Sequence, residues 1–287
     1  MSVEQAARDA SRDWQVSTAV IRGAAHELTG LPLQDAAGYR EISDGLALAV
    51  ADGHGNQRHF RSARGSELAV EAGLGAAAEL ATALAASQQP VDLIAATRAK
   101  LVPALLHRWQ RAVQEDLAER PLEAGELRLV EREDQVTVPY GSTLLLAVLA
   151  SHWLLLGQIG DGDIVVVGPD GTATAPVPGD PLLDGQRTTS LCQADAADSF
   201  RLAAADLGSG PVAAVLLATD GFGNAQTAEP WYPLFGADLL RLSQRHGPDW
   251  IRAQLPAWVA RCASAEGSGD DAAAALMIAG PTGWSPS

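Results

Sequence analysis

Short, mostly apolar runs recur along the chain, and most of them stop at a turn residue. Trp14–Ile21, Leu46–Asp52, Ser142–Leu149, Trp153–Ile159, Ile164–Gly168, Val212–Thr219 and Ala272–Ala279 are of this kind. Such a run, bounded by Gly, Asp or Ser, predicts a buried strand. Ala36–Tyr39, Thr172–Ala175 and Ser199–Ala204 predict three further short strands. A different period governs Leu68, Ala72, Ala76, Leu80 and Leu84, which recur every four residues on one helical face. The spacing predicts a helix from an N-cap at Ser66 to about Ser87. After Gln88-Gln89-Pro90, the stripe Leu93, Leu101, Leu105, Trp109 and Val113 predicts a second helix over Val91–Glu119. Two more are expected at Ala237–His246 and Trp250–Ala263.

Between these elements Gly23, Gly30 and Pro32 mark Arg22–Asp35 as a loop. Glu119–Pro139 is charged and irregular, Pro176–Arg187 is rich in Pro, Gly and Asp, and Gly280–Ser287 reads as a tail. Ala150-Ser151-His152 and Pro169-Asp170-Gly171 read as hairpin links. Strands cluster, helices fall in two adjacent pairs, and hairpins outnumber helical crossovers. That pattern predicts an α+β fold with two largely antiparallel sheets flanked by helix pairs. We expect a single domain over residues 1–287, with a core from about 14 to 279.

Bulk properties narrow the setting. Hydrophobic residues make up 47% of the 287, enough for a substantial core. The longest apolar stretch, Leu144–Ala150, is broken by His152 before Trp153–Gly157, too short to span a bilayer. No apolar leader is seen near Met1. A net charge of −15 argues against a nucleic-acid partner and against an anionic membrane surface. Two distant cysteines, Cys192 and Cys262, make neither a disulfide framework nor a zinc site. A cytoplasmic location is expected.

The candidate chemistry sits at strand ends. The run Leu46–Ala51 delivers Asp52-Gly53-His54-Gly55, and a carboxylate ending a buried strand is costly unless it is paired or binds a cation. Asp35, Asp161, Asp220 and Asp270 stand in similar places, beside glycine or at the edge of an apolar run. Any one of them also reads as a turn aspartate bonded to its own backbone. Clustered carboxylates without thiolates suit hard cations, Mg2+ or Mn2+.

Gln34-Asp35, Asp52-Gly53-His54-Gly55, Gly141-Ser142-Thr143, Gly160-Asp161-Gly162, Thr219-Asp220-Gly221 and Gly269-Asp270-Asp271-Ala272 follow one another in this order. In that order and spacing the chain resembles the PPM-type metal-dependent serine/threonine protein phosphatases, the type 2C group, in the manner of a bacterial stand-alone member. The resemblance implies a four-layer α-β-β-α sandwich and two Mn2+ or Mg2+ ions. It implies that Asp52 bridges the ions, that the Gly53 carbonyl is a ligand, that Asp220 and Asp270 bind one ion, and that Asp35 acts through the water shell of the other. Asp161 is carried into the metal set in the same way. A metal-bridged hydroxide would then hydrolyse the phosphomonoester, with His54 as general acid for the leaving serine or threonine oxygen.

The chain also departs from the family pattern. Gly30 stands where many members have a phosphate-gripping arginine. His26, Arg58, Arg61 and Arg64 are the candidates to replace it. Gln34 replaces a common glutamate, and Asn224 replaces the aspartate that often completes a third metal site, which leaves that site open. The implied partners are a phosphoprotein substrate and a cognate serine/threonine kinase. The competing expectation is a phosphatase-fold binding or regulatory module with weak turnover.

Overall fold

The structure is a computed structural model that describes residues 14–43, 45–84, 89–130, 136–182 and 188–280, with the side chains of 80–84 left outside the description. Two five-stranded sheets form its centre, and every pairing in them is antiparallel. One sheet has the order β1-β10-β9-β6-β7, from β1 (Trp14–Ile21), β10 (Ala272–Ala279), β9 (Ala214–Ala218), β6 (Asp163–Val167) and β7 (Ala173–Thr174). The other runs β2-β3-β4-β5-β8, from β2 (Ala36–Ile42), β3 (Gly45–Ala51), β4 (Leu144–Ala150), β5 (Trp153–Ile159) and β8 (Arg201–Asp206).

The apolar runs are explained by burial on both faces. In β3, Leu46, Leu48 and Val50 point between the sheets, where they meet Leu145, Leu217, Ala275 and Met277. Ala47, Ala49 and Ala51 point the other way, under helices. The same alternation divides β10: Ala273, Ala275 and Met277 face the opposite sheet, and Ala274, Leu276 and Ile278 face helices. A strand covered on both sides has no polar face, so its sequence is apolar throughout. The small alanines let the helical layer approach closely, and the larger leucines and Met277 fill the space between the sheets.

The covering helices are α1 (Ala24–Thr29), α2 (Ser62–Leu84), α3 (Pro90–Ala96), α4 (Val102–Glu119), α5 (Ala196–Ser199), α6 (Asp220–Gly223), α7 (Tyr232–His246) and α8 (Pro248–Cys262). α2, α3 and α4 pack on the β3 sheet, and α7 and α8 on the β10 sheet, giving the α-β-β-α order. None of the described helices is long and apolar enough to cross a membrane.

Several boundaries differ from the sequence reading. Residues 22–35 hold the helix α1, because Gly23 and Gly30 flank it rather than dissolve it; Gly30 takes the left-handed conformation (φ 73°) that closes a helix. α2 begins at Ser62, one turn before Ser66. Ser66 is not the cap: its hydroxyl donates to the Gln34 carbonyl at 2.5 Å, tying the helix to the segment before β2. The expected end at Ser87, and the burial of Leu80 and Leu84, lie outside the description. The helix over 90–119 holds its buried stripe but passes through a π-helical turn at Thr97–Leu101. Ser199 belongs to α5, so β8 starts two residues later than expected. α7 starts five residues earlier than the apolar period suggested, with Pro233 in its first turn. Residues 131–135, 183–187 and 281–287, parts of the two irregular segments and of the tail, are outside the description as well.

The two-faced burial of β3 is testable by paired substitutions. Leu48→Ala should cost about 2–5 kcal/mol, the usual range for emptying a core position. Ala49→Leu should also destabilise, by about 1–3 kcal/mol, because the opposite face lies under helices. Urea unfolding of both variants is the measurement. A neutral result at Ala49 would mean that this face is not covered.

Candidate active site

The site lies where strands of both sheets end. Past β3 the chain stays laddered: the Gly53 N–H donates to the Gln34 carbonyl (3.1 Å), and the His54 N–H to the Gly141 carbonyl (3.1 Å). The Asp52 N–H donates to Thr143 Oγ1 (2.9 Å), and the Thr143 N–H returns a bond to the Asp52 carbonyl (2.8 Å). Asp52 and His54 are thereby fixed on rigid backbone. Gly53 cannot be replaced here, since a Cβ would stand 2.6 Å from the Ser62 carbonyl oxygen and 2.7 Å from that of Gln34. Asp35 opens β2 and is buried; Thr219, at the end of β9, donates its hydroxyl to Asp35 Oδ2 at 2.7 Å. Asp220 is the first residue of α6, and Asn224 donates to its Oδ2 at 3.2 Å.

These residues line one cleft of about 750 Å3, which brings together Asp35, Asp52, Gly53, His54, Asp220 and Asp270 with His26 and Arg58. Asp161, on the turn between β5 and β6, is exposed and stands outside the lining, but its charge is felt at Asp52 and Asp220. Burial, followed by the neighbouring carboxylates, pushes Asp35 and Asp52 well above the usual carboxylate range. Burial first, then Asp161 and Asp270, raises Asp220 to about 6.

Among the described residues, no three His, Cys, Asp or Glu side chains are gathered into a ready-made ligand cage. The carboxylates share a wall and repel through it. Their oxygens are the donors that hard divalent cations prefer, and a cation is what would relieve the repulsion, so the residues fit the implied metals.

The histidines and arginines sort by their partners. His54 is kept neutral, its pKa lowered to about 3 chiefly by burial, then by His59 and Arg58. Its ring lies 4.9 Å from that of His59. Arg58 Nε donates to His59 Nε2 (2.9 Å), and His59 Nδ1 meets the Val138 carbonyl (2.5 Å), which fixes the tautomer with the proton on Nδ1. Arg58 is thus held at the cleft by a buried histidine. Two of the arginine candidates are displaced. Arg61 is taken up by Glu126 through two bonds (2.9 and 2.8 Å) and by the Tyr140 hydroxyl (2.9 Å). Arg64 is spent on Asp116 (3.0 Å) and Glu67 (2.7 Å). Neither lines the cleft. His26 does, but it stands between Asp270 (3.3 Å) and Asp271 (2.9 Å), so as placed it orients carboxylates rather than offering itself to a phosphate.

Sequence reasoning assigned no role to Asp271. It is buried, and its two oxygens accept the N–H groups of Gly23 and Gln34, each at 2.7 Å. The signal was available: it is the residue directly before a strand buried along its whole length, where a solvated carboxylate is not an option.

A profile described as "Protein phosphatase 2C" matches residues 22–260, a span that ends before Asp270 and β10. Comparison with curated protein sequences gives no match. Among solved structures the fold is similar to PppA, a key regulatory component of T6SS in Pseudomonas aeruginosa, at 18% identity and a TM-score of 0.56, covering 94% of this chain and 99% of that one. It is similar to the Mycobacterium tuberculosis serine/threonine phosphatase PstP/Ppp, at 17% identity and a TM-score of 0.54, with 93% and 99% covered. The catalytic domain of PstP in complex with two manganese ions matches at 18% identity and a TM-score of 0.54, with 93% and 98% covered.

The crowding of carboxylates sets a pH dependence in the metal-free protein. Asp220 titrates at about 6 when folded, above an unfolded value near 4, so the folded chain holds that proton more tightly. The stability this gives is complete below about pH 4 and is lost as pH rises through about 6; Asp35 and Asp52 shift in the same direction. In EDTA, unfolding free energy should fall between pH 5 and pH 7.5 by on the order of 2 kcal/mol. Saturating Mn2+ at pH 7.5 should restore it by mass action. Asp220→Asn should flatten the pH dependence and shrink the Mn2+ response. Urea titrations at the two pH values decide, and stability that rises towards pH 7.5 in EDTA would contradict the cluster.

Proposed function

Since this chain belongs to the protein phosphatase 2C family, and is a protein phosphatase by that membership, we propose that it removes phosphate from phosphoserine and phosphothreonine in proteins with the help of two Mn2+ or Mg2+ ions. The observation that carries the reading is the cleft in which Asp35, Asp52, Asp220 and Asp270 face one another's charge beside His54 and Arg58. Asp52 with the Gly53 carbonyl, Asp220 and Asp270 would hold the ions, and Asp35 would act through bound water, with Asp161 close enough to add its charge. Divalent ions held there supply a water that is nucleophilic at neutral pH and offset the charge on the phosphoryl oxygens.

The chain's own residues then have separate tasks. Arg58 offers a guanidinium to the phosphoryl oxygens, which it matches in geometry, and His59 keeps it aimed. His54 waits as a neutral imidazole. A phosphate dianion beside it favours the protonated form, which can pass a proton to the leaving alkoxide. Thr219 keeps Asp35 in one orientation, and Asn224 does the same for Asp220. A phosphoprotein is the partner on this reading, and a kinase that makes the phosphoprotein is its natural counterpart.

A second reading, binding of a phosphoprotein with weak turnover, draws on Gly30. It offers no side chain where the family commonly has an arginine, so phosphate capture falls to Arg58.

Turnover separates the two. Hydrolysis of a phosphothreonine peptide should require Mn2+ or Mg2+, stop with EDTA and return on metal addition; no turnover at saturating Mn2+ would favour the binding module. Arg58→Ala should lower kcat/KM by roughly 10–100-fold, the worth of a charged hydrogen bond. His54→Gln should slow kcat on phosphoserine peptides by roughly 10²–10⁴-fold and on nitrophenyl phosphate far less, because nitrophenolate leaves without a proton. Mn2+ affinity should hardly change. Equal losses on both substrates would assign His54 a structural role instead.

A further inference from the structure

The connector between α4 and β4 presents large aliphatic side chains to solvent. Leu127 is 58% exposed, Leu129 42% and Val136 40%. Single exposed aliphatics need no explanation. This group differs because it runs into the cleft: Leu129, Val130, Val138 and Pro139 line the same cavity as Asp52 and His54. The wall formed by Gln34, Asp270, Asp271, Ser190 and Gln193 is polar by contrast.

The connector is also anchored. Besides its two bonds to Glu126, Arg61 donates to the carbonyls of Arg120 (2.6 Å) and Pro121 (3.1 Å). Glu126 Oε2 accepts the Glu123 N–H at 2.8 Å, and His59 holds the Val138 carbonyl. An arginine that is 14% exposed thus fixes an irregular segment to the start of α2, a few residues beyond His54. The stretches that carry Leu129 and Val138 are thereby held beside Asp52 and His54.

We infer that Leu129 and Val130, with Val138 and Pro139, are a platform for the substrate chain, and that they select phosphoproteins carrying an apolar residue close to the phosphorylated serine or threonine. The inference rests on the phosphatase reading above. The occupant follows from continuity: a peptide whose phosphate reaches Asp52 and Arg58 has to leave the cleft along one of its walls. Leu129, Val130, Val138 and Pro139 form the apolar wall of the cleft, on which a Leu or Met side chain loses water. Leu129 and Val130 are specificity-determining here and take no part in the chemistry.

The experiment uses matched phosphothreonine peptides that carry either Leu or Ser at each of the three positions on either side, with nitrophenyl phosphate alongside, all at saturating Mn2+. The wild type should prefer Leu at one or more positions by roughly 10–100-fold in kcat/KM, the usual discrimination of an apolar subsite. The double variant Leu129→Ser/Val130→Ser should reduce that ratio to about twofold or less on the same scale. Leu129→Asp should shift the preference to peptides with Lys at the same position. Each result is a ratio of two peptides on one preparation, so partial loss of folded protein cancels. Equal turnover of Leu and Ser peptides by an enzyme that hydrolyses nitrophenyl phosphate would overturn the platform alone. A double variant that keeps the preference would do the same. So would a wild-type dimer that the double variant dissociates, because the patch would then be an interface between copies. Failure on nitrophenyl phosphate itself would overturn the phosphatase reading, and the platform with it.

Discussion

The Asp271 carboxylate ties the two sheets together at the end where the site is built. It enters from β10, the second strand of one sheet, and accepts the N–H of Gly23 after β1 and of Gln34 before β2, the first strand of the other. Gln34 in turn accepts from Gly53 and from Ser66, which locks the strand that carries Asp52 and the helix α2 to the same point. Charge-assisted bonds to backbone N–H groups are strong, and here they are shielded from water. Asp35 and Asp52 on one sheet and Asp220 and Asp270 at the other can therefore be held within reach of one another's charge, despite the repulsion that this creates. The fold absorbs that cost because its strands are sealed on both faces and leave little room to relax.

Much of this was legible in the residues, for a physical reason. A strand buried on both faces needs a nearly unbroken apolar run, so β5 and β10 are recovered with their ends in place. A carboxylate at the end of such a run has few reasons to be there, so Asp52 and Asp220 announced themselves. What stayed hidden depends on partners distant in sequence. Ser66 looks like a cap, and nothing nearby reveals that its hydroxyl serves Gln34, thirty-two residues back. Arg61 and Arg64 look alike beside Arg58, and only the placement of α4 and of the turn after it decides that Asp116 and Glu126 consume them. The helix α1 was missed because its glycines mark ends as readily as they mark loops. Asp271 stood next to a residue with a more conspicuous assignment.

The neutral His54 and the anchored Arg58 show how such a cleft separates charge. Burial and a cationic neighbour keep the imidazole unprotonated, while the carboxylates opposite are pushed to hold protons. Both departures from ordinary ionisation are of the kind that a dianionic ligand and divalent cations reverse together. A site arranged in this way is under tension when empty, and much of that tension is released on loading.

The pairing of β1 with β10 has a consequence for biosynthesis. Trp14 lies opposite Ala279, so a strand near the start of the chain finds its neighbour only after some 260 further residues have been made. Contacts of such long sequence separation form late. During translation Asp35 and Asp52 can be set in place by local hairpins, but Asp270 and Asp271 are made more than two hundred residues later. The nascent protein thus carries half of its acidic cluster, without the bonds from Asp271 that close the sandwich. The cluster and the sheet edge are then completed together, when β10 pairs with β1.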